Sequence, residues 1–323
     1  MRDFNQPIIK DNRNLREKIP SIEKHFKKIE DEIFDFPKVD GLIKDPNIVT
    51  FRNCPICESN KQEQLFTKFG FKFVICQECN HYFINNPINE DVLLNMYQVK
   101  ESDNLQRVTN KTNFYKEYWT EVYSKYTEYI QSKGIYEGSV LDIGSGTGAF
   151  LEFLKNNYSY NLYGTEFADE VIDDLVDIVG SKEKIFHKLK LEEINFNGIS
   201  FDVITMWGVL EHVYNPIQVL TKISSIISPK GIMIALIPNL NSRALKILGI
   251  TTPTLDPRGH IHYFTDDSIN KAASIAGMKV IDKFGELPII DLMHKYLSVD
   301  DNLIEQIIKN DECYYSVYVI SKI

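Results

Sequence analysis

Three groups of residues have types and spacings that could do chemistry. The first is Cys54-Pro-Ile-Cys57 with Cys76-Gln-Glu-Cys79, a C-x2-C-x18-C-x2-C pattern. A C-x2-C turn lets two thiolates face one ion, so this pair predicts a tetrahedral four-thiolate zinc site. Four ligands leave no open coordination position, and the expected role is structural. The block is too short to fold around a core of its own, so bound metal would supply folding energy. His81 reads as a neighbour of the site and Cys313 as a core residue.

The second group is the run VLDIGSGTGAF at 140–150. Asp142 stands near the end of an apolar strand; Gly144, Ser145, Gly146 and Gly148 follow, and then a helix begins. Glycines allow a sharp turn and close approach of backbone to a ligand, and a helix N-terminus offers free N–H groups. The spacing is not the G-x-G-x-x-G of dinucleotide enzymes, and no GKT or GKS marks a phosphate loop. An acid before the loop suits a ligand with a positive end, such as S-adenosylmethionine (SAM). A pyrophosphate would gain nothing from it, which argues against an NAD-dependent dehydrogenase. Glu166 closes the next strand, about 20 positions on, where an acid accepts hydrogen bonds from ribose hydroxyls.

The third group is Arg258-Gly-His260-Ile-His262-Tyr-Phe264. Histidine is the natural base near neutral pH. Period two puts His260 and His262 on one side of an extended segment. Displacement at a sulfonium onto a hydroxyl or acidic carbon needs positioning and a base. His260 is the first candidate and His212 the second, with Glu211 beside it. The same three residues could instead bind a divalent ion. Arg243, Lys246 and Arg258 suit a substrate phosphate or carboxylate, and equally a solvated surface.

The elements that must hold these groups are legible in outline. From Ser139 onward, strand signals (SVLDIG, NLYGTE, FDVITMW, GIMIALIP) alternate with helical stretches (AFLEFLKNN, VIDDLVDIV, IQVLTKISSII). Such alternation predicts an α/β fold, a parallel Rossmann-like sheet with helices on both faces. KVIDKFGE and YYSVYVISKI look like two closing strands around a helical stretch at Leu292–Lys309, and they could pair antiparallel. Residues 1–50 read as a helical or linker segment, with helix spacing from Ser21 to Phe34 that suits a surface or oligomer contact. Residues 51–90 form the small zinc-binding module, 91–138 a helical connector rich in aromatics, and 139–323 the SAM-binding domain.

LDIGSGTG resembles the first motif of class I SAM-dependent methyltransferases, and the likeness runs from Ser139 to the C-terminus. The resemblance implies SAM as cofactor, with the glycine loop around its methionine and ribose, Glu166 and Phe167 at the second strand, and Leu191 in the adenine stretch. Lys190 stands where that stretch usually carries an acid, so the adenine amine would meet a backbone carbonyl or Glu192. WGVLEHVYNP at 207–216 is similar to the fourth-strand motif of the branch with ubiquinone-biosynthesis O-methyltransferases and sugar methyltransferases. That likeness implies Met206 and Trp207 beside the sulfonium, and Glu211 and His212 at the start of a helix. Zinc knuckles before such a domain resemble bacterial sugar and polysaccharide-cluster methyltransferases, and secondarily a set of ribosomal RNA guanine methyltransferases.

The formal net charge of -9 disfavours a nucleic-acid partner, because binding a phosphate backbone requires clustered Lys and Arg. The acceptor is therefore expected to be a small molecule: a sugar, sugar nucleotide or related metabolite. An RNA acceptor is the alternative, and a SAM-binding scaffold without turnover is a third reading. No apolar run is long enough for a membrane span, and the polar N-terminus lacks a secretory signal, so a cytoplasmic protein is expected, with a homodimer open.

Overall fold

The computed structural model describes residues 2–12, 36–98, 112–252, 254–290 and 300–323. The helix expected at Ser21–Phe34 and the first part of the stretch expected at Leu292–Lys309 lie outside them. In chain order the elements begin with β1 (Ile9–Asn12), a two-strand hairpin of β2 (Lys38–Val39) and β3 (Leu42–Ile43), then β4 (Gln62–Lys68), β5 (Phe71–Cys76) and β6 (Tyr82–Ile84). Helices α1 (Glu90–Gln98) and α2 (Asn113–Ser132) follow. Next come β7 (Ser139–Ile143), α3 (Ala149–Asn157), β8 (Asn161–Glu166), α4 (Ile172–Val179), β9 (Ile185–His187) and β10 (Phe201–Trp207). The chain ends with α5 (Pro216–Ile226), β11 (Ile227–Pro238), α6 (Arg243–Leu248), β12 (His262–Tyr263), α7 (Asp266–Ile275), β13 (Met278–Ile290), α8 (Asp301–Lys309) and β14 (Tyr315–Lys322).

Eight strands form the main sheet in the order β1-β13-β14-β11-β10-β7-β8-β9. Strands β9, β8, β7, β10 and β11 are mutually parallel, and β14 runs antiparallel between β11 and β13. The closing antiparallel pair is therefore present. Two strands escaped the sequence: β9 is three residues long, and β1 is a polar IKDN that pairs at the far edge. The chain goes outward from β7 to β8 and β9, then returns to β10 on the other side of β7. At that switch point the carboxyl ends of β7 and β10 open a crevice, where open α/β sheets bind ligands.

Helices cover both faces, because the inner strands are apolar on both. On one face Val140, Val203 and Ile234 pack with Tyr118, Val122 and Tyr126 of α2, Leu151 of α3 and Leu175 of α4. The other face packs Leu141, Ile204 and Met233 with Leu220 and Ile223 of α5 and Ala272 of α7. Cys54, Val74, Cys76, Cys79 and Phe83 belong to this second cluster. The cysteine-bearing sheet therefore shares a core with the large sheet. Its fourth strand comes from much later in the chain: β12 pairs with β6, giving the order β12-β6-β5-β4. Cys313 is buried beside Leu287 and Tyr314, as its sequence context suggests.

Candidate functional site

The glycine loop joins β7 to α3, and its shape is set by its neighbours. The Gly144 N–H donates to Thr165 Oγ1 at 3.1 Å, and the Ser145 N–H donates to the Thr165 carbonyl at 2.9 Å. Ser145 Oγ in turn donates to the Asp142 carbonyl at 2.8 Å. Gly164 makes this fit: a Cβ there would stand 2.6 Å from Ser145 Oγ. Gly144 and Gly148 take positive φ values of 67° and 76°. Gly148 precedes α3, and a Cβ on it would strike Leu175 and Ile178 of α4 at 2.8 and 2.7 Å. It lines neither cavity described below and serves helix packing.

Glu166 sits under the loop. Its Oε2 accepts the Gly146 N–H at 2.6 Å, and its Oε1 accepts the N–H groups of Phe167 and Ala168 at 2.7 and 3.0 Å. A carboxylate has about four lone-pair sites, so capacity remains for a ribose hydroxyl. Asp142 is buried, and Thr205 Oγ1 of β10 donates to its Oδ1 at 2.5 Å. Burial pushes its carboxyl up to about 7, against the Thr205 bond that lowers it, with the nearby Glu166 charge adding to the rise. Thr165 and Thr205 were not singled out in the sequence. Nothing there marks a strand threonine as a loop anchor before the strands are paired.

Two cavities meet at Gly144, Gly146, Thr147 and Trp207. One, about 440 Å³, runs from Glu166, Phe167 and Leu191 to Val209, His212 and Tyr214. The other, about 750 Å³, has Asp142 and Ser145 facing Tyr115, Trp119 and Tyr123 of α2. The aromatic stripe of α2 is thus both a packing face and a cavity wall. Trp207 is boxed by Tyr123, Tyr126 and Phe150, with ring centres 5.4, 5.8 and 5.3 Å away, and its indole N–H is buried without an acceptor. Met206, expected beside the same ligand, is fully buried in the opposite core cluster and lines neither cavity. Alternation along β10 turns one residue to each face. At the adenine stretch, Lys190 Nζ donates to Glu90 Oε2 of α1 at 2.6 Å, while Leu191 faces the cavity.

Glu211 and His212 do not begin a helix. They lie in a turn closed by the His212 N–H to the Val209 carbonyl at 2.9 Å, and α5 starts at Pro216, where a missing N–H costs nothing. The Glu211 carbonyl accepts the N–H groups of both Ile261 and His262, at 3.0 and 3.1 Å. That clasp brings His260 against His212, ring centres 4.7 Å apart and edge to face. Ligand atoms of Glu211, His212 and His260 lie within 4.8 Å of one another. His212 lines the smaller cavity, and His260 stands behind it. The Thr254 carbonyl accepts from His260 Nδ1 at 2.7 Å, so Nδ1 carries the proton and Nε2 keeps the lone pair. Burial holds His260 below the usual imidazole range and His212 down to about 3. Burial pushes Glu211 up to about 8, and its Oε2 has no partner.

The expected alternation of His260 and His262 fails. His262 is buried and meets His81, Nδ1 to Nε2 at 3.0 Å, while His81 Nδ1 meets Ser268 Oγ at 3.3 Å. Two successive amides on one carbonyl bend the segment, so the two imidazoles do not share a side. His81 is a buried neighbour of the cysteines, as its position suggested. Of the candidate substrate cations, Arg258 pairs with Asp256 at 2.5 Å, and Arg243 and Lys246 pair with Glu312 at 2.5 and 2.7 Å.

The four cysteines converge. Cys54 and Cys79 sulfurs are 3.5 Å apart, as are Cys57 and Cys76, and all four lie within 4.8 Å. A tetrahedron with Zn–S bonds of about 2.3 Å has sulfurs about 3.8 Å apart, so the set fits a zinc ion. The two turns match: Glu58 N–H donates to the Cys54 carbonyl at 2.8 Å, and Asn80 N–H to the Cys76 carbonyl at 3.0 Å. Glu58 and Asn80 both adopt positive φ, 61° and 54°. Burial, with the neighbouring cysteines adding to it, pushes the Cys54 thiol up to about 12 and Cys79 higher still.

Similar solved structures include the magnesium protoporphyrin IX methyltransferase of Synechocystis with bound SAH. It is 14% identical over 73% of this chain and 100% of that one, with a TM-score of 0.49. A S-adenosylmethionine-dependent methyltransferase from Clostridium acetobutylicum is 12% identical over 67% of this chain and 94% of that one, with a TM-score of 0.45. No curated protein matches the sequence. A family model described as a methyltransferase domain matches residues 115–283, more than half of the 323 residues. On that match the chain belongs to the methyltransferase-domain family, and it is a SAM-dependent methyltransferase.

Proposed function

We propose that the enzyme methylates a small-molecule acceptor, a sugar, sugar nucleotide or related metabolite of surface-polysaccharide biosynthesis, in the cytoplasm. Bound SAM supplies the methyl group, which passes to an acceptor atom as its bond to sulfur breaks. Glu166 receives the ribose hydroxyls, Phe167 and Leu191 flank the adenine, and Asp142 with the loop from Gly144 to Gly146 faces the methionine end. Trp207 stands beside the sulfonium where the two cavities meet. His260 and His212 supply the base that takes the acceptor proton.

The observation that carries this reading is the histidine pair. The Thr254 carbonyl fixes the His260 tautomer at 2.7 Å. Burial keeps both rings neutral near pH 7, the form that accepts protons. His212 lines the same cavity as Glu166, and His260 stands edge to face behind it. The four thiols, in the small sheet that packs on the large one, hold zinc in a structural role: the metal joins the two turns and no ligand position is left for chemistry.

The test is formation of S-adenosylhomocysteine (SAH) by zinc-loaded protein with a panel of nucleotide sugars, catechols and small acids, beside structured RNA. Turnover with one small-molecule class supports the reading. Turnover with RNA alone, with salt-sensitive binding, would replace it by the RNA alternative.

A further inference from the structure

Among the described residues, a second group of metal-ligating side chains lies apart from the four cysteines: Glu211, His212 and His260. The clasp of the Glu211 carbonyl on the Ile261 and His262 amides fixes their backbones against one another. The two imidazole centres are 4.7 Å apart, and the ligand atoms of all three residues lie within 4.8 Å. One ion with bonds of about 2.1 Å holds its ligand atoms about 3–4 Å apart, so small side-chain movements close the set.

The individual groups suit ligation. The Thr254 carbonyl accepts from His260 Nδ1 at 2.7 Å, leaving Nε2 as the donor atom. A backbone acceptor on the other ring nitrogen is the usual support of a metal-bound histidine. Glu211 Oε2 is buried without a hydrogen-bond partner, and such an oxygen is costly until a donor or a cation meets it. Both histidines are partly exposed and His212 lines the cofactor cavity, so an ion has an entry path.

Two imidazoles and one carboxylate are a donor set for zinc, cobalt, nickel and iron(II), whereas magnesium and calcium take oxygen ligands. Three protein ligands leave coordination open, unlike the four thiolates. This site is therefore the weaker of the two, and a chelator should empty it first.

We propose that Glu211, His212 and His260 bind one transition-metal dication and that its binding inhibits methyl transfer. A lone pair held by a metal cannot take a proton, so the ion occupies the atom that the His260 base uses. This regulation rests on the base reading proposed above, and it adds an inhibitory ligand to the same site.

The test uses the full chain carrying one zinc in the cysteine site, titrated with Co²⁺. Three readouts are visible absorption, carbethoxylation of His212 and His260 by diethyl pyrocarbonate, and SAH formation with an acceptor from the panel above. A second ion per chain is expected, with the bands of a nitrogen–oxygen site. The sulfur-to-cobalt band that exchange into the cysteines would give should be absent. Bound Co²⁺ should block carbethoxylation of both rings and suppress turnover over the same concentration range, and Mg²⁺ should do neither. A chelator dose that leaves the cysteine zinc in place should restore both. Glu211→Gln and His260→Gln should each weaken Co²⁺ binding by at least about tenfold, the low end for loss of even an outer-shell partner. Far-UV circular dichroism checks that both variants fold; if either does not, the wild-type titration and the carbethoxylation decide. Failure to bind a second ion, or equal binding by wild type and both folded variants, would overturn the site. Turnover raised by the second ion would overturn the inhibition and make the metal part of the reaction. His260→Gln that loses Co²⁺ yet keeps wild-type turnover would support the metal site and sink the base reading instead.

Discussion

At the scale of single residues, the site depends on groups held in an unusual protonation state or tautomer. His260 is the clearest. With Nδ1 tied to the Thr254 carbonyl, only Nε2 can take a proton. His260→Ala should lower kcat by roughly 10²–10⁴-fold, the usual share of a general base, and leave SAH affinity unchanged. An equal loss of SAH binding would show a merely structural histidine. Asp142 makes a pH prediction. Its buried carboxyl is pushed up to about 7 and so is partly protonated at neutral pH. A cationic ligand favours the ionised form, so SAM affinity should rise as pH goes from 6 through 7 and level off above. Asp142→Asn should bind more weakly and abolish that slope in calorimetry across pH.

Elements matter through how closely their backbones approach. The glycine loop lies against the end of β8 because Gly164 has no side chain there. Gly164→Ala would drive a methyl group to 2.6 Å from Ser145 Oγ, which is itself fixed on the Asp142 carbonyl. Overpacking of this kind costs about 1–3 kcal/mol. The expected outcome is weaker SAH binding at nearly unchanged secondary structure, read by calorimetry and far-UV circular dichroism. Wild-type affinity in that variant would mean the loop tolerates displacement and is not a shaped seat.

For the whole molecule, two buried polar contacts join parts distant in sequence. Lys125 of α2 and Glu286 of β13 pair at 2.6 Å with both side chains fully buried, and Glu286 also accepts the Ile8 N–H at 2.7 Å. Lys125→Met would leave that carboxylate unpaired and should cost about 3–5 kcal/mol in urea unfolding. The Lys125→Met/Glu286→Gln double variant should recover part of it; a strictly additive loss would deny the pairing. The second contact, His81 with His262, ties the cysteine-bearing sheet to the segment after His260. Burial holds His81 down to about 3 and His262 well below the usual value. With folded-state values lowered, stability is fully present above about pH 6.5 and falls as pH drops toward 3, by up to about 1.4 kcal/mol per unit per histidine. His262→Gln should flatten that dependence in urea titrations at pH 7.5 and 5.

The sequence by itself determined what depends on local spacing. The C-x2-C pairs reach one point because each turn is closed by its own backbone, with Glu58 and Asn80 in the left-handed region. The glycine loop, Glu166 and the alternating strands needed only the order of residues along the chain, and the family follows from them. Tertiary structure decided what depends on chain segments meeting. The pairing of β12 with β6, the clasp of the Glu211 carbonyl on two amides and the separation of His260 from His262 have no local signature. Alternation put Trp207 toward the cavity and Met206 into the core, a choice of face that a strand with apolar residues on both faces does not encode. Thr165 and Thr205 acquire their roles only when their neighbours arrive from 21 and 63 positions away, because a hydrogen bond has no sequence pattern until folding supplies its partner.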